Sequence, residues 1–120
     1  METAQKLTPG QIDYVIKNGE FPPEVISSAE NVAVVMTQGW CPQWSHMAQW
    51  ILSLGPEDSI RVYYTVYDEE PYFERFMEFK ETVFGNRQVP YVRYYRGGKR
   101  VKESNYTSKS LFLSVFAPGE

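Results

Sequence analysis

The chain is poor in the two side chains that carry much of protein reactivity: 120 residues hold one cysteine, Cys41, and one histidine, His46. A single cysteine excludes an internal disulfide. One Cys and one His also fall short of the three or four protein ligands of a zinc site, so no metal is expected. An iron–sulfur cluster would need a second copy and external thiols. No apolar run approaches the roughly 20 residues needed to span a bilayer, and no membrane partner is expected. The N-terminal stretch Met1 to Lys6 lacks the basic-then-apolar pattern of a signal peptide, which makes a reducing cytoplasm the expected setting. Positive charge is not in excess either: 12 Lys and Arg face 15 Asp and Glu, for a net charge of -3. Nothing of global sign draws the chain to nucleic acid or anionic lipid. Repeats, low-complexity tracts and linkers are absent from the sequence, and its length suits one domain over 1–120.

What is present is an unbroken apolar, β-branched run, Val32 to Thr37, followed by Gln38-Gly39-Trp40-Cys41-Pro42-Gln43-Trp44. The run reads as a buried strand. The segment after it turns helical, with Trp44, Met47, Ala48, Ile51 and Leu52 on one face until Gly55-Pro56. Cys41 therefore sits at a strand-to-helix junction. Unpaired N–H groups of a first helical turn and the positive end of its dipole favour an anionic sulfur there, which makes Cys41 a candidate nucleophile and leads us to expect it partly exposed. Trp44 heads the buried stripe, so its expected role is to cap the core, with substrate contact as the alternative. His46 lies about 140° around the helix from Cys41, awkward for a Cys–His pair, and is read as a surface or partly buried residue.

The remaining elements follow in order. Thr8-Pro9-Gly10-Gln11 matches a capping box that opens a short helix ending at Asn18-Gly19. Phe21-Pro22-Pro23 forces an extended turn, and Glu24 to Glu30 has room for one or two helical turns. Ile60 to Tyr67 alternates as a second strand, parallel to the first through the intervening helix. Asp68 is a candidate N-cap for a helix whose apolar stripe is Phe73, Phe76, Met77 and Val83, ending at Gly85-Asn86. Tyr91 to Arg96 and Lys99 to Lys102, joined by Gly97-Gly98, form a hairpin. Ser108 or Thr107 caps a last helix carrying Leu111, Phe112, Val115 and Phe116 and closed by Pro118-Gly119. No carboxylate pair suggests hydrolysis. The basic residues Arg87, Arg93, Arg96, Lys99, Arg100 and Lys102, interleaved with Tyr91, Tyr94 and Tyr95, admit two readings: a face for single-stranded nucleic acid, or charges that blunt an edge hairpin. The negative net charge favours the second.

Trp40-Cys41-Pro42 after a buried strand, with Val89-Pro90 ahead of a later one, resembles the thioredoxin/glutaredoxin superfamily over residues 31–116. The resemblance implies a three-layer α/β thioredoxin fold with a βαβαββα core and a mixed four-stranded sheet. Residues 8–30 would add an N-terminal helical extension. It further implies that Val89-Pro90 is cis, lies against Cys41, and leaves the Val89 backbone free to pair with an extended substrate. The family's Cys-x-x-Cys motif is Cys41-Pro42-Gln43-Trp44 here. Trp44 stands where the resolving cysteine would be, and Val35 where thioredoxins bury an aspartate. Gln38 replaces the glutaredoxin lysine, Glu103-Ser104-Asn105 replaces its glycine pair, and Gly97-Gly98 belongs to the hairpin turn, so a glutathione site has little support and no cofactor is expected.

Two functional classes follow. In the first, Cys41 of a monothiol redox protein attacks a disulfide and an external thiol resolves the adduct. In the second, the chain is a non-catalytic, chaperone-like binding module docking a protein disulfide or extended peptide segment. The expected partner face is Trp40, Pro42, Gln43, Trp44, Val89, Pro90 and Tyr91 around Cys41.

Overall fold

The computed structural model describes residues 4–55 and 58–117. One mixed sheet runs β1 (Gln5–Lys6), β3 (Arg61–Val66), β2 (Asn31–Thr37), β4 (Tyr91–Arg96) and β5 (Lys99–Ser104). The first three strands are parallel, β4 runs antiparallel to its neighbour β2, and β5 turns back antiparallel to β4. The helices are α1 (Pro9–Asn18), the single turn α2 (Pro23–Ile26), α3 (Pro42–Ile51), α4 (Phe73–Thr82) and α5 (Lys109–Phe116). The expected core is therefore present with one strand more than expected. That strand changes the status of the N-terminal segment. Because β1 pairs with β3 at Gln5 and Lys6, α1 is the crossover of a strand–helix–strand unit rather than an appendage.

The unbroken apolar run is explained by burial on both faces of β2, the central strand. Val32, Val34 and Met36 meet Ile12 and Val15 of α1 and Phe76 and Phe79 of α4. Ala33 and Val35 meet Trp44, Met47 and Ile51 of α3 and Phe112 and Phe116 of α5. Period-two alternation thus feeds two apolar layers at once.

Local signals held where their chemistry was complete. The Thr8 hydroxyl accepts from the Gln11 N–H at 3.1 Å and the Gln11 side chain accepts from the Thr8 N–H at 2.9 Å, both halves of a capping box. Ser108 caps α5 through the Leu111 N–H. Gly97 and Gly98 both have positive φ, 60° and 81°, as a tight hairpin turn with right-handed strand twist requires.

Elsewhere the structure corrects the expectation. α3 stops at Ile51, ahead of Gly55, and Pro56 lies outside the described residues, as do Pro118 and Gly119. α4 begins only at Phe73, after a 3-10 turn over Tyr67–Glu69, so Asp68 caps nothing in it. Val83, assigned to its buried stripe, is 59% exposed just past the helix end. Arg93 is not an edge charge. It faces inward from β4, where its guanidinium lies 3.9 Å from the Phe84 ring centroid and donates to Tyr95, Tyr91 and Glu20. Arg96 is half-buried with its guanidinium donating to the Val115 carbonyl, while Lys99, Arg100 and Lys102 stand exposed on the edge strand β5. Among the described residues, no helix is long and apolar enough to cross a membrane.

Candidate functional site

Cys41 occupies the N-cap of α3, where the end of β2 meets a helix whose first residue is Pro42. Proline suits that place because its missing N–H would have no helical partner. The Cys41 carbonyl accepts the first helical hydrogen bond, from Ser45 N–H at 3.1 Å. Its side chain does not cap the helix. Instead the thiol donates to the Val89 carbonyl, with sulfur and oxygen 3.6 Å apart. The residue is only 5% exposed and packs in the apolar cluster that holds Val35 and Trp44. The expectation of a partly exposed cysteine at the helix dipole is thus corrected: an apolar floor and the Val89 carbonyl draw the thiol inward.

The residues before Cys41 are fixed by side chains from the opposite loop. The Gln38 amide accepts from the Trp40 indole N–H and donates to the Tyr67 hydroxyl at 3.2 Å. The Gly39 N–H donates to the Asp68 carboxylate at 2.8 Å. A Cβ on Gly39 would lie 2.5 Å from a Glu69 carboxylate oxygen, so glycine permits that approach. Burial pushes the Tyr67 hydroxyl above its ordinary titration range. The result is an indole 67% exposed yet tethered beside the cysteine.

The other predicted site residues divide by depth. Pro42 and Gln43 are exposed, Val89 is half-buried, Pro90 is buried, and the Val89–Pro90 peptide is cis. Cys41 and Val89 are brought into contact, and Trp40 and Pro42 flank the cysteine in the chain. Trp44 and Tyr91 are not on that surface. Trp44 is 7% exposed and stacks on Tyr64 with ring centroids 6.2 Å apart. Tyr91 is fully buried, its hydroxyl donating to Glu103 and accepting from Arg93 at 3.1 Å, and burial pushes it up to about 12. Both follow periodicity: Trp44 heads the α3 stripe, and Tyr91 shares the inward face of β4 with Arg93 and Tyr95. His46 is exposed, its ring 6.4 Å from that of Tyr106.

Sequence reasoning missed a polar cluster behind Val89. Lys80 of α4 is fully buried, and its ammonium donates to the Asn86 carbonyl at 2.9 Å, the Gln88 carbonyl at 2.8 Å and the Asn86 side-chain oxygen at 3.4 Å. With no carboxylate among these acceptors, burial pushes its titration down to about 8. From the turn after β5, the Asn105 amide donates to the Asn86 side chain, the Gln88 carbonyl and the Pro90 carbonyl at 3.0, 3.3 and 3.0 Å. The signal was legible in part: Lys80 falls four residues after Phe76, on the apolar stripe of its helix.

By sequence, no family model and no curated protein matches the chain. Solved structures do match. A thioredoxin mutant of Halobacterium salinarum is similar at a TM-score of 0.66 and 16% identity, over 96% of this chain and 90% of its own. Thioredoxin O1 of Arabidopsis thaliana reaches 0.67 at 12% identity, over 95% of each chain. Thioredoxin F of spinach chloroplast gives 0.63 at 18% identity, over 95% of this chain and 90% of that one. With these likenesses spanning nearly the whole chain, the protein has the thioredoxin fold.

Proposed function

We propose that this protein is a thioredoxin-like monothiol redox protein that forms mixed disulfides through Cys41. The observation that carries the reading is the contact between the Cys41 thiol and the Val89 carbonyl at the head of α3, in a chain with no second cysteine to release an adduct internally. In the first step the Cys41 sulfur, its proton lost to solvent, attacks one sulfur of a partner disulfide. A bond forms between Cys41 and that sulfur, and the other partner sulfur leaves as a thiolate. An external thiolate then attacks the Cys41 sulfur of the mixed disulfide, and the partner leaves with both sulfurs reduced. A second external thiolate attacks the outer sulfur of the new Cys41 adduct, and Cys41 leaves as thiolate. The two external thiols, joined as a disulfide, have supplied the two electrons. A reducing cytoplasm would provide those thiols. Among the described residues the Val89 N–H has no hydrogen-bond partner, which suits pairing with an extended segment, while Trp40, Pro42 and Gln43 offer exposed side chains beside it. Oxidative trapping in cell extract tests this: discrete adducts form with the native chain and disappear in Cys41→Ser. Absence of any Cys41 adduct overturns the reading.

A second reading, a non-catalytic binding module, is favoured by one pairing of facts: the thiol is buried while the neighbouring indole is exposed and tethered. Under it, the same partners co-purify without a covalent link when Cys41→Ser is used as bait.

A further inference from the structure

We infer that Lys80 and Asn105 are positioning residues that hold the segment 86–90 from two sides and so fix the contact between Val89 and Cys41. The inference rests on the proposed use of Cys41 and Val89. The argument is one of converging donors. Lys80 reaches the Asn86 and Gln88 carbonyls from α4, and Asn105 reaches the Gln88 and Pro90 carbonyls from the turn after β5. The Asn86 side-chain oxygen joins the two, accepting from the Lys80 ammonium, from the Asn105 amide and from the Gln88 N–H at 3.0 Å. The Asn86 amide closes the loop by donating to the Asn105 side-chain oxygen at 3.1 Å.

Asn86, Gln88 and Pro90 are therefore tied down, and of the two residues between the ties, Arg87 and Val89, the second is the one whose carbonyl meets the cysteine. The segment belongs to no helix or strand, so it has no ladder to fix it. An irregular stretch keeps one geometry only when side chains satisfy its carbonyls. A lysine buried without a carboxylate partner is costly, and its three donors are spent on this one segment. Neither residue touches the sulfur. Their effect passes through the backbone that presents Val89.

The role separates from a merely structural one because two rates at Cys41 should move in opposite directions. The first is capture of a synthetic peptide whose cysteine is disulfide-linked to 5-thio-2-nitrobenzoate. Cys41 attacks the peptide sulfur, the peptide–Cys41 disulfide forms, and the coloured thiolate leaves. The second is alkylation by iodoacetamide, which needs only access to the sulfur. In Lys80→Met and in Asn105→Ala, peptide capture should fall about fivefold, the scale of one lost hydrogen bond's ordering. Alkylation should rise, because the sulfur loses its cover and its acceptor. Rates that move together, or do not move, overturn the inference. Asn105 is half-buried, so Asn105→Ala keeps the test open if Lys80→Met does not fold. If the unsubstituted chain captures no peptide, the proposed function falls and the alkylation rates alone decide the clamp: faster in both variants sustains it, unchanged or slower removes it.

Discussion

Arg93 of β4 and Glu20, just past the end of α1, form an ion pair 3.0 Å long in which the arginine side chain is 9% exposed and the glutamate 35%. The pair ties the N-terminal crossover to the strand that follows Val89-Pro90. Glu20 also accepts from the Tyr95 hydroxyl at 2.5 Å and the Phe21 N–H at 2.8 Å. Removing the carboxylate would leave a buried guanidinium with only phenol oxygens and the Phe84 face as partners. We expect Glu20→Ala to lower unfolding free energy by about 2–3 kcal/mol, below the full cost of breaking a buried pair because Glu20 is partly solvated. Glu20→Gln, which keeps an acceptor, should cost less. Urea denaturation of the three chains checks both, and a loss under about 0.5 kcal/mol for Glu20→Ala would contradict the assignment.

Lys80 should leave a mark on the pH dependence of stability. Its folded titration near 8 lies below the ordinary 10.5, so between those values the folded chain has released a proton that the unfolded chain still holds. Unfolding within that window must take up a proton, so raising the pH makes unfolding less favourable. Relative to Lys80→Met, the native chain should therefore gain on the order of 1–2 kcal/mol between pH 7.5 and about 9.5. A difference that is flat or falls with pH would show that the ammonium is not held as described. The stability of each chain by itself should fall above about pH 10, because burial raises the titration of Tyr67, Tyr72, Tyr91, Tyr94 and Tyr95 and their ionisation favours the unfolded state, but these tyrosines are common to both chains and cancel in the difference.

Trp40 and Trp44 stand four residues apart and should respond oppositely to truncation. Trp44→Ala removes a ring packed on Tyr64 and should cost about 3–5 kcal/mol. Trp40→Ala removes an exposed ring and should change stability by less than about 0.5 kcal/mol, while weakening recovery of non-covalent partners by Cys41→Ser bait. Equal partner recovery with and without Trp40 would remove the indole from the docking surface.

With thioredoxin reductase as sole electron source, the chain should not reduce insulin. No second sulfur can attack the adduct at Cys41, and the position where one would stand is filled by the packed Trp44. Sustained NADPH consumption above the blank would disprove this.

The elements legible in the sequence were those whose signal is local and complete. The capping box at Thr8, the Gly97-Gly98 turn and the two-faced burial of Val32 to Thr37 each follow from chemistry within a few residues. The contact of Cys41 with Val89 was legible only through resemblance, since 48 residues separate them. What could not be read was direction. Tyr91 and Arg93 were known to lie on the hairpin, but which way each points depends on the partners that α1 and α4 bring from elsewhere, whereas Trp44, at the head of the α3 stripe, was legible as a core-capping residue and is buried. The two-residue strand β1 was missed for a similar reason. Gln5-Lys6 has no apolar alternation, and it is a strand only because β3 offers an edge.

That short strand has a bearing on solubility. The Leu7 N–H donates to the Tyr64 carbonyl at 2.9 Å, and Gln5 and Lys6 lie in register with Tyr63 and Tyr64. They cover the margin of β3, which after Arg61 is β-branched or aromatic throughout, Val62-Tyr63-Tyr64-Thr65-Val66, with no further charge. Left bare, such a margin is a template for pairing between molecules. The opposite margin, β5, is protected differently, by Lys99, Arg100 and Lys102. Damage to β1 should therefore show itself first as self-association, before any loss of the interior.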